Sequence, residues 1–117
     1  MNKEKSFKEL IQETRKILKE FEKQDGKWNA ETIITELTKQ LGEVSKQVMM
    51  LEGNYMPQRK KDQNHHYSKE NLGYEMSDIL FNLIRLADYY NIDLEQAHIN
   101  KLKINSNRFS LKNDESK

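Results

Sequence analysis

Leu72–Tyr90 reads LGYEMSDILFNLIRLADYY. Leu72, Met76, Ile79, Leu80, Leu83, Ile84, Ala87 and Tyr90 recur at steps of three and four. That period is one face of an α-helix, and no alternating run competes with it. Ser68 stands just ahead as a capping residue, so the spacing predicts a helix from about Lys69 to Tyr90.

The same pattern extends outward in both directions. Ile34, Leu37, Leu41, Val44, Val48 and Leu51 form a matching seam, predicting a helix from about Ala30 to Glu52 with Asn29 as its N-cap. Gly53-Asn54 is its stop signal. Phe7, Leu10, Ile11, Thr14, Ile17, Leu18 and Phe21 predict an earlier helix over Ser6–Glu22, ended by Asp25-Gly26, with Trp28 in the short connection. A fourth helix is expected from the Asp93 cap to about Arg108, with Gln96 placed as in a capping box. The 14-residue stretch Asn54–Tyr67 has no apolar period. It carries the only Pro, the basic run Arg59-Lys60-Lys61 and the pair His65-His66, and reads as a mobile loop or a lid. The expected class is therefore all-α. Residues 1–109 form one bundle of about four helices, and 110–117 form a flexible tail. The apolar seams of the second and third helices are expected to face each other.

Composition narrows the function. The 117 residues are 35% hydrophobic and 33% charged, so a single chain buries a thin core and assembly through helix packing is expected. Twenty basic against 19 acidic residues leave a net charge of +1, which excludes the basic excess of a specific nucleic-acid binder. The absence of Cys removes disulfides, thiolate zinc sites and thiol nucleophiles. No apolar run is long enough for a signal peptide or a membrane span, so the chain reads as soluble and cytoplasmic.

Polar residues inside the helical patterns are the candidates for chemistry. Glu36, Gln40, Glu43 and Gln47 run as one stripe beside the Leu/Val seam, and Glu75, Asp78 and Asn82 do the same on the third helix. If these helices pack antiparallel, the stripes share a groove. Carboxylates crowded there need a proton or a cation, and oxygen-only ligands favour Mg²⁺ or Mn²⁺. The alternative is plain surface or ion-paired charge. Acid pairs three apart arise by chance in so acidic a chain; what distinguishes Glu75/Asp78 is a mid-helix place among Leu72, Met76, Ile79 and Leu80. Lys101, Asn105 and Arg108 share one face of the fourth helix and suit a polyphosphate, although basic residues near a helix C-terminus are also favoured by the helix dipole. Glu95/His98 is a single Glu-x-x-His where a di-iron bundle needs two. No phosphate-binding loop or dinucleotide fingerprint is present.

Taken in order, these elements resemble the MazG-like nucleotide pyrophosphohydrolases of the all-α NTP pyrophosphatase group. Trp28 lies ahead of the second helix. LTKQLGEVSKQV (Leu37–Val48) is similar to the family's Glu-x-x-Glu helix. YEMSDILFNLIRLADYYNIDLEQA (Tyr74–Ala97) is similar to its Glu-x-x-Asp helix and following turn. NKLKINSNRF (Asn100–Phe109) is similar to its closing Lys/Asn/Arg element. The resemblance implies a homodimer or homotetramer that hydrolyses a nucleoside triphosphate to the monophosphate and pyrophosphate with Mg²⁺, Mn²⁺ being a possible substitute. It implies Glu43, Glu75 and Asp78 as metal ligands, with Gln40 at the place of the family's first motif acid. It implies Lys101, Asn105 and Arg108 around the nucleotide, joined by Asn82 and Trp28. Gln40 carries no charge and cannot act as a base, so Glu43 or Glu36 is the expected base. A degenerate nucleotide-binding or interaction module is the alternative that this departure raises.

Overall fold

A computed structural model describes residues 4–53 and 68–109. Four helices account for them: α1 (Phe7–Asp25), α2 (Ala30–Leu51), α3 (Lys69–Tyr89) and α4 (Leu94–Arg108). The predicted loop Asn54–Tyr67, with Arg59-Lys60-Lys61 and His65-His66, lies outside the described residues, as does the predicted tail 110–117.

Each helix begins where a polar side chain satisfies exposed backbone N–H groups. Ser6 Oγ accepts from the Glu9 N–H at 3.1 Å, and Glu9 returns the bond to the Ser6 N–H at 2.8 Å. Asn29 caps α2 through the Thr32 N–H at 2.8 Å, and Ser68 caps α3 through the Asn71 N–H at 3.1 Å. Asp93 accepts from the Gln96 N–H at 2.9 Å, but the expected reciprocal bond gives way to a side-chain bond from Gln96 Nε2 to Asn100 at 3.0 Å. Gly26, at a φ of 84° that disfavours a Cβ, terminates α1 three residues beyond the expected end.

The apolar core is small: Ile11 and Leu18 from α1, Ile33 from α2, and Ile84 and Ala87 from α3. Phe21 meets Phe81 edge to face with centroids 5.9 Å apart. Arg15 grips Asp88 with Nε at 2.9 and 3.0 Å from the two carboxylate oxygens, fastening α1 to α3. Among the described residues, the largest interface is between α2 and α3, while α4 touches the rest sparingly. No described helix is long and apolar enough to cross a membrane.

The expectation that the two apolar seams face each other holds in part: α2 and α3 form the largest interface, and Leu37, Val44, Leu72, Ile79, Ile84 and Ala87 are buried or half-buried, but the other seam residues are not. Ile34, Leu41 and Val48 of α2 are 50%, 63% and 42% exposed; Met76, Leu80 and Leu83 of α3 are 57%, 40% and 42% exposed. The buried or half-buried line on α2 is instead Ile33, Glu36, Leu37, Gln40, Glu43, Val44 and Gln47. The cause is rotation by about one residue, or 100°, about the helix axis. It gives α3 arcs for both α1 and α2, turns Gln47 and Asn82 fully inward and Glu36, Gln40, Glu43 and Glu75 half-way, and leaves Asp78 exposed.

Candidate functional site

The inward stripes meet directly. Asn82, 5% exposed, donates from Nδ2 to Gln40 Oε1 at 3.0 Å. One turn further along α2 lies Glu43. Its charge acts on Glu75, which precedes Asn82 by two turns of α3, so the helices run antiparallel along a shared groove. Burial first, then the like charges of Asp78 and Glu43, push the Glu75 carboxyl above its ordinary range, with Lys39 opposing them. Glu43, Glu75 and Asp78 therefore share one electrostatic neighbourhood. Among the described residues, however, no three acidic or His side chains are gathered closely enough to form a metal cage. Their chemistry suits a hard divalent cation: all donors are oxygen, and the crowding at Glu75 is relieved by positive charge. Gln40 is less free than a motif acid would be, since its carbonyl oxygen already accepts from Asn82. Glu36 is partly neutralised by Lys39, 3.7 Å away.

A cavity of about 370 Å³ opens beside this groove, with Trp28, Glu36, Gln40, Asp78 and Asn82 in its wall. Five residues chosen from the sequence thus line one space. Glu43 and Glu75 lie beyond its rim, along the same α2/α3 seam. Lys101 and Arg108 are exposed on α4 and Asn105 is half-buried there; none of them lines the cavity. A second cavity, of about 460 Å³, lies between α1 and the turn leading into α4, away from the acids of the groove.

Arg85, which the sequence reading passes over, is the cavity's most unusual wall residue. It is 8% exposed. Its guanidinium carbon lies 4.0 Å from the centre of the Trp28 ring and 5.6 Å from that of Phe81. Nη1 donates to Asn82 Oδ1 at 3.4 Å, while the buried Nε has no hydrogen-bond partner. Burial lowers the guanidinium pKa from its usual value, and the charges of Glu22 and Glu36 pull it back. The ion pairs of the described residues leave it without a carboxylate partner. The available signal was periodicity: Glu75, Asp78, Asn82 and Arg85 step by three, four and three along α3. No protein family, curated protein or solved structure matches this chain.

Proposed function

We propose that the chain is a Mg²⁺-dependent nucleoside triphosphate pyrophosphohydrolase acting as a homodimer or larger homo-oligomer, as its resemblance to the MazG-like enzymes implies. The observation that carries the reading is the Glu43/Glu75/Asp78 neighbourhood next to a cavity walled by Trp28, Gln40 and Asn82. Glu43, Glu75 and Asp78, with the second lone pair of Gln40, would hold the cation, their side chains drawing together around it from the looser arrangement of the free chain. When bound, Mg²⁺ supplies positive charge to phosphate oxygens and to the leaving pyrophosphate. Glu43 or Glu36 accepts the proton of the water that attacks the α-phosphorus. The P–O bond to the pyrophosphate breaks as the new P–O bond forms, giving the monophosphate. Asn82 orients Gln40 by its hydrogen bond. Lys101 and Arg108 lie away from the cavity within one chain, so a role at the β- and γ-phosphates requires them to come from a second subunit.

The test is pyrophosphate release from a panel of NTPs and dNTPs with Mg²⁺. Asp78→Ala is expected to lower kcat/KM by at least about 100-fold, about 2.7 kcal/mol in the barrier. An unchanged rate removes Asp78 from the site, and no release from any nucleotide removes the enzyme. The Gln40–Asn82 bond favours a second reading, a nucleotide-binding module with weakened catalysis, because a neutral amide occupies the acid's place. Gln40→Glu distinguishes the two: a strong gain in release marks the natural chain as degenerate, and a loss marks Gln40 as adapted to its role.

A further inference from the structure

We propose that Arg85 is a positioning residue: it fixes the orientation of the Asn82 and Gln40 amides, and so keeps the Gln40 carbonyl oxygen, rather than its NH₂, available to a cation. This role rests on the Mg²⁺ reading above and deepens it. An amide has two ends of nearly the same shape, an oxygen that accepts and an NH₂ that donates, so packing does not choose between them. A guanidinium only donates. Arg85 Nη1 lies 3.4 Å from Asn82 Oδ1, one turn back along α3. With Oδ1 facing Arg85, Asn82 has its NH₂ left for α2, and Nδ2 donates to Gln40 Oε1 at 3.0 Å. One donor-only group thus sets the sense of both bonds. With both amides turned over, Gln40 would donate to Asn82, and the Asn82 NH₂ would stand against the guanidinium, donor to donor, in a buried place. Gln40 would then put NH₂ where Oε1 now lies, and a hard cation takes only oxygen there.

Arg85 is held so that it does not swing away. Its guanidinium carbon sits 4.0 Å from the centre of the Trp28 ring, and the buried Nε is sealed without a hydrogen-bond partner. No ion pair of the described residues includes it. A buried guanidinium kept on these terms destabilises the fold, and its charge works against a cation in the neighbouring groove. An apolar side chain would fill the place without either cost. What it would not do is hold Asn82 one way round. The need arises from Gln40, because a carboxylate at that position has two like oxygens and accepts from Asn82 in either orientation.

That difference supplies the test. Mn²⁺ affinity is measured by electron paramagnetic resonance for the full chain, Arg85→Met, Gln40→Glu and the double variant, with circular dichroism to establish that each is folded. Arg85→Met keeps a long side chain and loses the donors. It is expected to weaken Mn²⁺ binding by about tenfold or more in the natural background and not to weaken it in the Gln40→Glu background. Equal weakening in both backgrounds shows a merely structural role and overturns the proposal. Unchanged or tighter binding in the natural background shows that Arg85 acts as a repelling charge or not at all, and also overturns it. If Arg85→Met does not fold, the natural chain decides by NMR. A nitrogen–carbon coupling across the hydrogen bond from Asn82 Nδ2 to Gln40 Cδ is expected; one from Gln40 Nε2 to Asn82 Cγ overturns the assignment. The hydrolase reading fails separately. The expected Mn²⁺ pattern without pyrophosphate release from any triphosphate leaves Arg85 in its role and removes the enzyme. Pyrophosphate release with Mn²⁺ binding indifferent to Arg85→Met removes the role and leaves the enzyme. No Mn²⁺ binding by the natural chain removes both.

Discussion

Glu75 sits in a half-buried place beside Asp78 and Glu43 and keeps its proton more readily in the folded chain than in the unfolded one. The sign of the consequence follows from proton counting. Below the ordinary carboxylate value of 4.5, both states carry the proton and Glu75 contributes nothing. As pH rises from there through the raised folded-state value, the folded chain binds more protons than the unfolded chain, and stability falls. Glu75→Gln is therefore expected to melt above the wild type near about pH 8 and together with it near about pH 3, as followed by circular dichroism. A Gln variant that melts lower at the alkaline end shows that Glu75 is held by favourable contacts rather than crowded. Gln40 and Arg85 mark what is legible in the chain at this scale. A neutral residue at a motif position is conspicuous in the sequence. An arginine three steps from Asn82 reads as one more surface charge, because burial depends on the α1–α2 connection that brings Trp28 over it.

Among the elements, helix ends were the most legible feature, since Asn29, Ser68 and Asp93 each act locally on the backbone just after them. Helix rotation was not legible. On α2 an apolar seam through Ile34, Leu41 and Val48 runs one residue out of phase with the line Ile33, Gln40 and Gln47, and Leu37 and Val44 serve both. Hydrophobicity alone ranks the first line as inward. The opposite outcome goes with the hydrogen bond between Gln40 and Asn82 and with the packing of α3 against α1 as well as α2. The attachment of α1 is testable through its ion pair. Arg15 and Asp88 are 39% and 29% exposed, so solvent screens them in part. Asp88→Asn is expected to cost about 1 kcal/mol, lowering Tm by about 4–8 °C, with the loss shrinking in high salt. A Tm equal to that of the wild type at low salt means that Ile11 and Leu18 hold α1 without help.

For the whole molecule, the exposed row of Ile34, Leu41, Val48, Met76, Leu80 and Leu83 is the dominant fact, and it supports assembly. Covering side chains of this size is worth about 1 kcal/mol or more apiece, and both α2 and α3 expose three of them. Leu41→Glu is expected to shift the chain to monomers in analytical ultracentrifugation and to lower Tm, while leaving the capping bonds of α1 and α4 undisturbed. A monomeric wild type removes the oligomer from the proposal. The polar interior seam carries one more consequence. In the homo-oligomer proposed above, a second copy would cover the apolar side chains that α2 and α3 leave in solvent, so resistance to proteolysis is expected to rise with protein concentration.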